Sequence, residues 1–132
     1  MILIDSNIPM YIVGVAQSKK VDAQLLVEQA VARGDRLVTD AEALQEILHR
    51  YAAIERRDAI AAALKTLLGI VDEVFPIDRE TVLRAAEIVQ GAAFSARDAV
   101  HIAVMERHRV PRIMSYDRDF DRWPGITRIG ST

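Results

Sequence analysis

The chain contains no cysteine. Disulfides, zinc–thiolate sites, iron–sulfur clusters and cysteine nucleophiles are excluded at once. Histidine is scarce, with three scattered residues and no metal-binding spacing. Lysine occurs only at positions 19, 20 and 65. An excess of positive charge is missing too: 17 basic residues face 19 acidic ones, for a net charge of −2. Such a chain has no general field to draw in nucleic acid, which argues against a simple DNA-coating protein. An enzyme that meets phosphates through a metal ion and a few local arginines stays open. No apolar run approaches the ~18 residues of a membrane span. Asp5 interrupts the start of the chain before the ~7–15 apolar residues of a signal peptide can form. A cytoplasmic protein with no membrane partner is expected.

What the chain does contain is apolar for its size. Its 132 residues suit one domain, 1–132, with 51% hydrophobic residues and a mean hydropathy of +0.10. A small domain this apolar is expected to cover part of its surface with a second copy of itself or a partner.

Apolar residues 1–4 run straight into Asp5, the pattern of a buried parallel-type strand. Residues 8–15 predict a helix that tolerates Pro9 in its first turn. Residues 14–20 predict a loop, and 21–33 a helix with Leu25, Leu26, Ala30 and Val31 on its buried side. A second strand is predicted over 36–39. A helix follows, opened by a Thr39–Glu42 capping box, with Ala41, Leu44, Ile47, Leu48 and Tyr51 as its buried stripe. Residues 55–68 predict a further helix ended by Gly69, and 70–75 a third strand closed by Pro76. Asp78 caps a predicted helix over 79–90, and Ser95 opens another over 96–108. Strands over 111–115 and 126–129 complete the chain. Helices alternating with short apolar strands indicate an α/β fold with a mainly parallel sheet.

Four acids share one kind of position. Asp5 follows the first strand, Glu46 lies on the helix after the second, Asp98 opens a late helix, and Asp117 lies two residues past the strand 111–115. In a doubly wound sheet such positions can converge at the carboxyl edge. Each also has an ordinary reading. Asp5 can simply start a turn, Glu46 can pair with Arg50 one turn on, and Asp98 can complete a capping box with Ser95. Carboxylates packed together repel, and a divalent cation relieves the repulsion. All-oxygen ligands select Mg²⁺ or Mn²⁺. Asp117, Asp119 and Asp121 do not form an EF-hand, because Arg122 stands where its glycine belongs and Arg128 where its glutamate belongs. Asp119 and Asp121 read instead as the solvated side of a one-turn helix with Phe120 and Trp123 facing inward.

The segments Asp5-Ser6-Asn7, Thr39-Asp40 with Leu44-Gln45-Glu46, Ser95-Ala96-Arg97-Asp98-Ala99 with His101 and Ala103, and Ser115-Tyr116-Asp117 with Phe120 occur in this order. Together they resemble a PIN-domain ribonuclease, most closely the VapC-type toxins of toxin–antitoxin pairs, over nearly the whole chain. The resemblance implies a PIN-like three-layer sandwich, with helices flanking a mainly parallel sheet of about four to five short strands. It implies a Mg²⁺- or Mn²⁺-dependent endoribonuclease acting on RNA, with Asp5, Glu46, Asp98 and Asp117 as the acidic quartet. It also implies a homodimer and a cognate antitoxin whose tail occupies the site. Ser115 corresponds to the small hydroxyl residue before the last acid.

Asn7 is open between a helix cap and the metal's water shell. Arg97, Arg118 and Arg122 suit phosphate contacts, although ordinary solvated charges have the same signature. His101, one turn after Asp98, reads as a core or supporting residue rather than a catalytic one. Two competing readings stand beside the nuclease. A Mg²⁺-dependent phosphohydrolase would use Asp5 as nucleophile and normally a nearby lysine. A catalytically silent PIN-like module would only bind protein or RNA.

Overall fold

In the computed structural model, which describes residues 1–14 and 17–130, the strands are short because each has only to cross a buried layer. β1 (Ile2–Ile4), β2 (Leu37–Asp40), β3 (Glu73–Phe75), β4 (Arg112–Met114) and β5 (Thr127–Ile129) form one sheet. Its order is β3-β2-β1-β4-β5, and every pairing is parallel. Ile2 aligns with Leu37 on one side and with Arg112 on the other. From β1 the chain builds outward in one direction to β3, then returns to add β4 and β5 on the opposite side. The order therefore reverses between β1 and β4. At such a switch point the two strands' carboxyl ends border an open crevice.

Side chains alternate across the sheet, and each face has its own core. Leu3, Val38 and Ile113 point to one face and pack with Ala85, Ile88, Phe94, Ala99, Ile102 and Phe120. Ile2, Ile4, Leu37 and Met114 point to the other and pack with Ile8, Ala23, Ala30, Ile47 and Leu67. The first face is covered by α5 (Arg79–Gly91) and α6 (Ala96–His108). The second is covered by α1 (Asn7–Val13), α2 (Ser18–Ala32), α3 (Ala41–Ala53) and α4 (Ile60–Ile70). The result is the three-layer α/β arrangement expected from the sequence.

Several boundaries differ from the sequence reading. Val15, the expected end of the first helix, lies outside the described residues. The second helix starts at Ser18, inside the expected loop, and is buried through Ala23 and Ala30 with Leu26 and Val27 packed beside them. Leu25 and Val31 are exposed instead, because the i, i+3, i+4, i+7 row that meets the core starts at Ala23. Leu48 is likewise exposed on α3. The Thr39–Glu42 capping box is not formed. Asp40 caps α3 by accepting the Ala43 N–H at 2.9 Å, while the Thr39 hydroxyl closes the sheet by donating to the Ile4 carbonyl at 2.7 Å. The helix expected over 55–68 begins only at Ile60, after a 3-10 turn Arg57–Ala59, and runs through Gly69 to Ile70. A single helical glycine costs about 1 kcal/mol, which the packing of Ala63 and Leu67 outweighs. That leaves β3 only Glu73–Phe75. Helix α6 buries seven of its thirteen residues, Asp98, Ala99 and His101 to Met105, as befits a helix packed on both the sheet and a neighbouring helix.

Candidate metal centre

Asp5, Asp98 and Asp117 are delivered by the ends of elements, and Glu46 comes from inside α3. Asp5 is the first residue beyond β1, and its N–H continues the ladder to the Met114 carbonyl at 3.0 Å. Its Oδ1 accepts from the Ser6 N–H at 2.7 Å and its Oδ2 from the Ser115 hydroxyl at 2.6 Å. Ser6, at the start of α1, makes no side-chain cap. Its hydroxyl donates instead to Oε2 of Glu46 at 2.6 Å. Glu46 is therefore not the exposed partner of Arg50. It is 7% exposed and turned inward.

The other Glu46 oxygen, Oε1, meets Nε2 of His101 at 2.6 Å. His101 is fully buried, and its Nδ1 meets Oδ2 of Asp40 at 2.7 Å. Oδ1 of Asp5 lies 3.5 Å from the same Nε2. Ionised carboxylates only accept, so both ring nitrogens donate and the ring is an imidazolium. Burial alone would lower the affinity of His101 for its proton, but the neighbouring Asp40, Glu46 and Asp5 raise its pKa well above the ordinary value. Burial likewise works to raise Glu46, and the hydrogen bond and charge of His101 outweigh it, holding that carboxyl below its ordinary value. Asp5 ends up raised: burial and repulsion from Glu46 exceed the help of His101, Ser115 and Ser6.

Asp98 and Asp117 occupy the other end. Ser95 caps α6 by accepting the Asp98 N–H at 3.2 Å, so Asp98 sits in the first helical turn with its carboxylate left for the cavity. Asp117 begins a 3-10 helix, Arg118–Arg122, and its Oδ1 accepts the Asp119 N–H at 2.9 Å. The Asp117 N–H donates to the Ser115 hydroxyl at 3.0 Å, the same group that binds Asp5. Burial first, then the charge of Asp117, pushes the Asp98 carboxyl up to about 7. Ligand atoms of Asp98, Asp117 and Asp119 lie within 4.8 Å of one another, as do those of Asp5, Glu46 and His101. Asp5 and Glu46 of the one group and Asp98 and Asp117 of the other line a cavity of about 600 Å³, together with Arg50 and Arg97.

The donor set suits a hard divalent cation. Four carboxylates face one cavity, and among the described residues the buried cation paired with them is His101, which serves the Asp5–Glu46 end. Oxygen donors with uncompensated negative charge fit Mg²⁺, Mn²⁺ or Ca²⁺ and give no thiolate for a softer metal.

A PIN-domain family model matches residues 2–126. The chain belongs to the PIN-domain family. Within it, the chain is 56% identical to Ribonuclease VapC13 of Mycobacterium tuberculosis over 130 residues, covering 98% of this chain and 99% of that protein. It is similar in fold to Mycobacterium tuberculosis VapC20, described as a sarcin-ricin loop cleaving toxin, with a TM-score of 0.74, 19% identity and coverage of 92% and 93%. A toxin–antitoxin complex from Klebsiella pneumoniae contains a similar fold, with a TM-score of 0.65, 18% identity and coverage of 96% of both chains. The chain thus stands among the VapC-type ribonucleases, and nucleases of the PIN family are typically dependent on divalent metal.

The supporting residues of this PIN domain were only partly readable beforehand. Asn7 donates to the Ser115 hydroxyl at 3.2 Å and accepts the Tyr116 N–H at 3.3 Å. It fastens the β4 exit to the first turn of α1. In the sequence Asp40 reads as part of a helix start, with any assistance to Glu46 left open, and Arg128 only as a residue that breaks the EF-hand pattern. Arg128 donates to the Ser115 carbonyl at 3.0 Å and grips Asp121 at 3.0 and 3.2 Å, bracing the Asp117 segment from below. A Cβ on Gly130 would collide with that same Ser115 carbonyl. Of the three arginines noted in the sequence, Arg122 is committed to the Ala93 carbonyl at 2.7 Å and to the Phe94 ring. Arg118 does not line the cavity, whereas Arg97 does.

Proposed function

We propose that this protein is a single-domain, Mg²⁺- or Mn²⁺-dependent endoribonuclease in which Asp5, Glu46, Asp98 and Asp117 hold the ion. The observation that carries the reading is the four-carboxylate cavity, in which burial first and then the charge of Asp117 push the Asp98 carboxyl up to about 7. When bound, a divalent ion supplies activation of water and stabilisation of charge on the phosphodiester. The chain's own residues prepare its place. Ser6 and Ser115 orient Asp5 and Glu46 by hydrogen bonds, and the burial of both carboxylates strengthens the charge interactions they make. Arg97, exposed at the rim and without a hydrogen bond or ion pair among the described residues, is suited to an RNA phosphate.

The protein acts as the toxin of a toxin–antitoxin pair, in the cytoplasm, with a cognate antitoxin as partner. It works as a homodimer, a state supported by the exposed Val82, Leu83 and Val89 on α5. No helix among the described residues is long and apolar enough to cross a membrane.

The phosphohydrolase alternative fits less well. No lysine lines the cavity, and both oxygens of Asp5 already accept hydrogen bonds. The test is Mn²⁺-dependent cleavage of RNA by antitoxin-free protein carrying Asp5→Asn or Asp98→Asn. Loss of about 10²–10³-fold or more in kcat is expected for each, with the fold retained. Wild-type cleavage in both variants would sink the proposal, and metal binding without cleavage of any RNA pool would favour a silent binding module.

A further inference from the structure

Among the described residues, the buried carboxylates and imidazoles include only two that play no part in the four-acid reading, Asp40 and His101. Both are fully buried. An apolar side chain at either position would fill the space without the cost of burying polar groups. Their geometry suggests why polar groups stand there. Asp40 caps α3 with Oδ1, at 2.9 Å from the Ala43 N–H, and holds the His101 ring with Oδ2 at 2.7 Å. The opposite ring nitrogen holds Oε1 of Glu46 at 2.6 Å. The ring belongs to α6, three residues after Asp98, and Glu46 belongs to α3. A single chain of contacts thus runs from the start of α3, through a side chain of α6, back to the carboxylate that α3 presents to the cavity.

Ser6 fixes the second oxygen of Glu46. Without His101 the carboxylate would keep one restraint and could rotate about it. Groups behind a metal ligand commonly set its orientation and basicity in this way. We infer that His101 and Asp40 form a positioning pair that fixes the Glu46 carboxylate for the divalent ion and holds it in register with Asp98 across α3 and α6. The inference rests on Glu46 belonging to the metal centre. Neither residue of the pair touches the ion or the RNA.

Two substitutions of one residue separate this role from simple packing. His101→Gln puts an amide N–H near the Nε2 position and keeps a donor to Glu46. His101→Asn puts one near Nδ1, keeps the Asp40 contact and leaves Glu46 without it. Mn²⁺ affinity is read by electron paramagnetic resonance of the free ion, and cleavage kinetics are read at saturating Mn²⁺. His101→Asn is expected to weaken Mn²⁺ binding about 10–100-fold and to lower kcat. KM for RNA should stay within about twofold, since no substrate contact is lost. His101→Gln should recover most of both losses. Asp40→Asn, whose carbonyl oxygen still caps α3, should fall between them. Wild-type Mn²⁺ affinity in His101→Asn, or equal losses in the Gln and Asn variants, would overturn the positioning role. If neither histidine variant folds, Asp40→Asn decides, and wild-type affinity and kcat in it overturn the inference. A wild-type protein that binds no Mn²⁺ overturns the metal-centre reading itself, and the inference with it.

Discussion

At one end of the cavity, Asp5 and Glu46 rest against a buried imidazolium and accept hydrogen bonds from two serine hydroxyls and a backbone N–H. At the other, Asp98 faces Asp117, and among the described residues neither carboxylate forms an ion pair. The first end is compensated from within and held rigid. The second keeps its repulsion, and burial together with the charge of Asp117 raises the Asp98 carboxyl to about 7. A site built this way is preorganised where geometry matters and left electrostatically unfinished where a cation is to arrive.

The largest expected effect comes from stripping the compensated end. His101→Ala leaves Asp5, Asp40 and Glu46 buried without their cation and should cost about 3–5 kcal/mol in urea denaturation. Because His101 has a raised pKa, that cost should be full below the unfolded-state value near 6.5 and shrink as pH rises through the folded value. A loss under about 1 kcal/mol would mean the ring is not the counter-charge that the geometry describes.

The same kind of change at the other end should act in the opposite direction. Asp98→Asn should stabilise the metal-free protein at pH 7 by about 1–2 kcal/mol, allowing for hydration at the cavity mouth. The folded protein keeps the Asp98 proton up to about pH 7, whereas the unfolded chain releases it near 3.9. The gain should therefore vanish below about pH 4 and grow steadily toward pH 7, seen as a widening difference in Tm between the two proteins. A variant less stable than wild type at pH 7 would show that no repulsion is stored there.

The ion itself sharpens the contrast next. A cation needs the deprotonated form of Asp98, so the rise in Tm caused by Mn²⁺ should be present above about pH 7 and fade as pH falls through that value. A Mn²⁺ effect that is flat from pH 5 to 8 would place the binding at the compensated end. The smallest change is expected from Asp119→Asn. Asp119 is exposed and already near Arg122 at 3.4 Å, so Mn²⁺ affinity measured by calorimetry should move by about twofold or less.

Much of the architecture was readable in the chain. The apolar run into Asp5, the Ser95 cap, the Asp78 cap and the alternation of helix and strand all depend on neighbours a few residues apart, and those are local signals. Asp5 and Asp98 stood at the ends of recognisable elements, so their common edge followed from the parallel sheet. Glu46 was harder, since Arg50 at the next turn offers an equally good surface partner in sequence. Its actual partners, Ser6 and His101, lie 40 and 55 residues away. The helix boundary at Gly69 and the exposed side of α2 were misread because packing, not propensity, decides both.

Sequence alone determined that this chain is a cysteine-free α/β protein with acids just past its strands and on the helices that follow them, because residue type and periodicity are written one after another along it. Only the tertiary structure decided that those acids divide into a compensated half and a repelling half. Charge compensation depends on distances of about 3 Å between groups, and the fold alone brings His101 within that reach of Asp40 and Glu46.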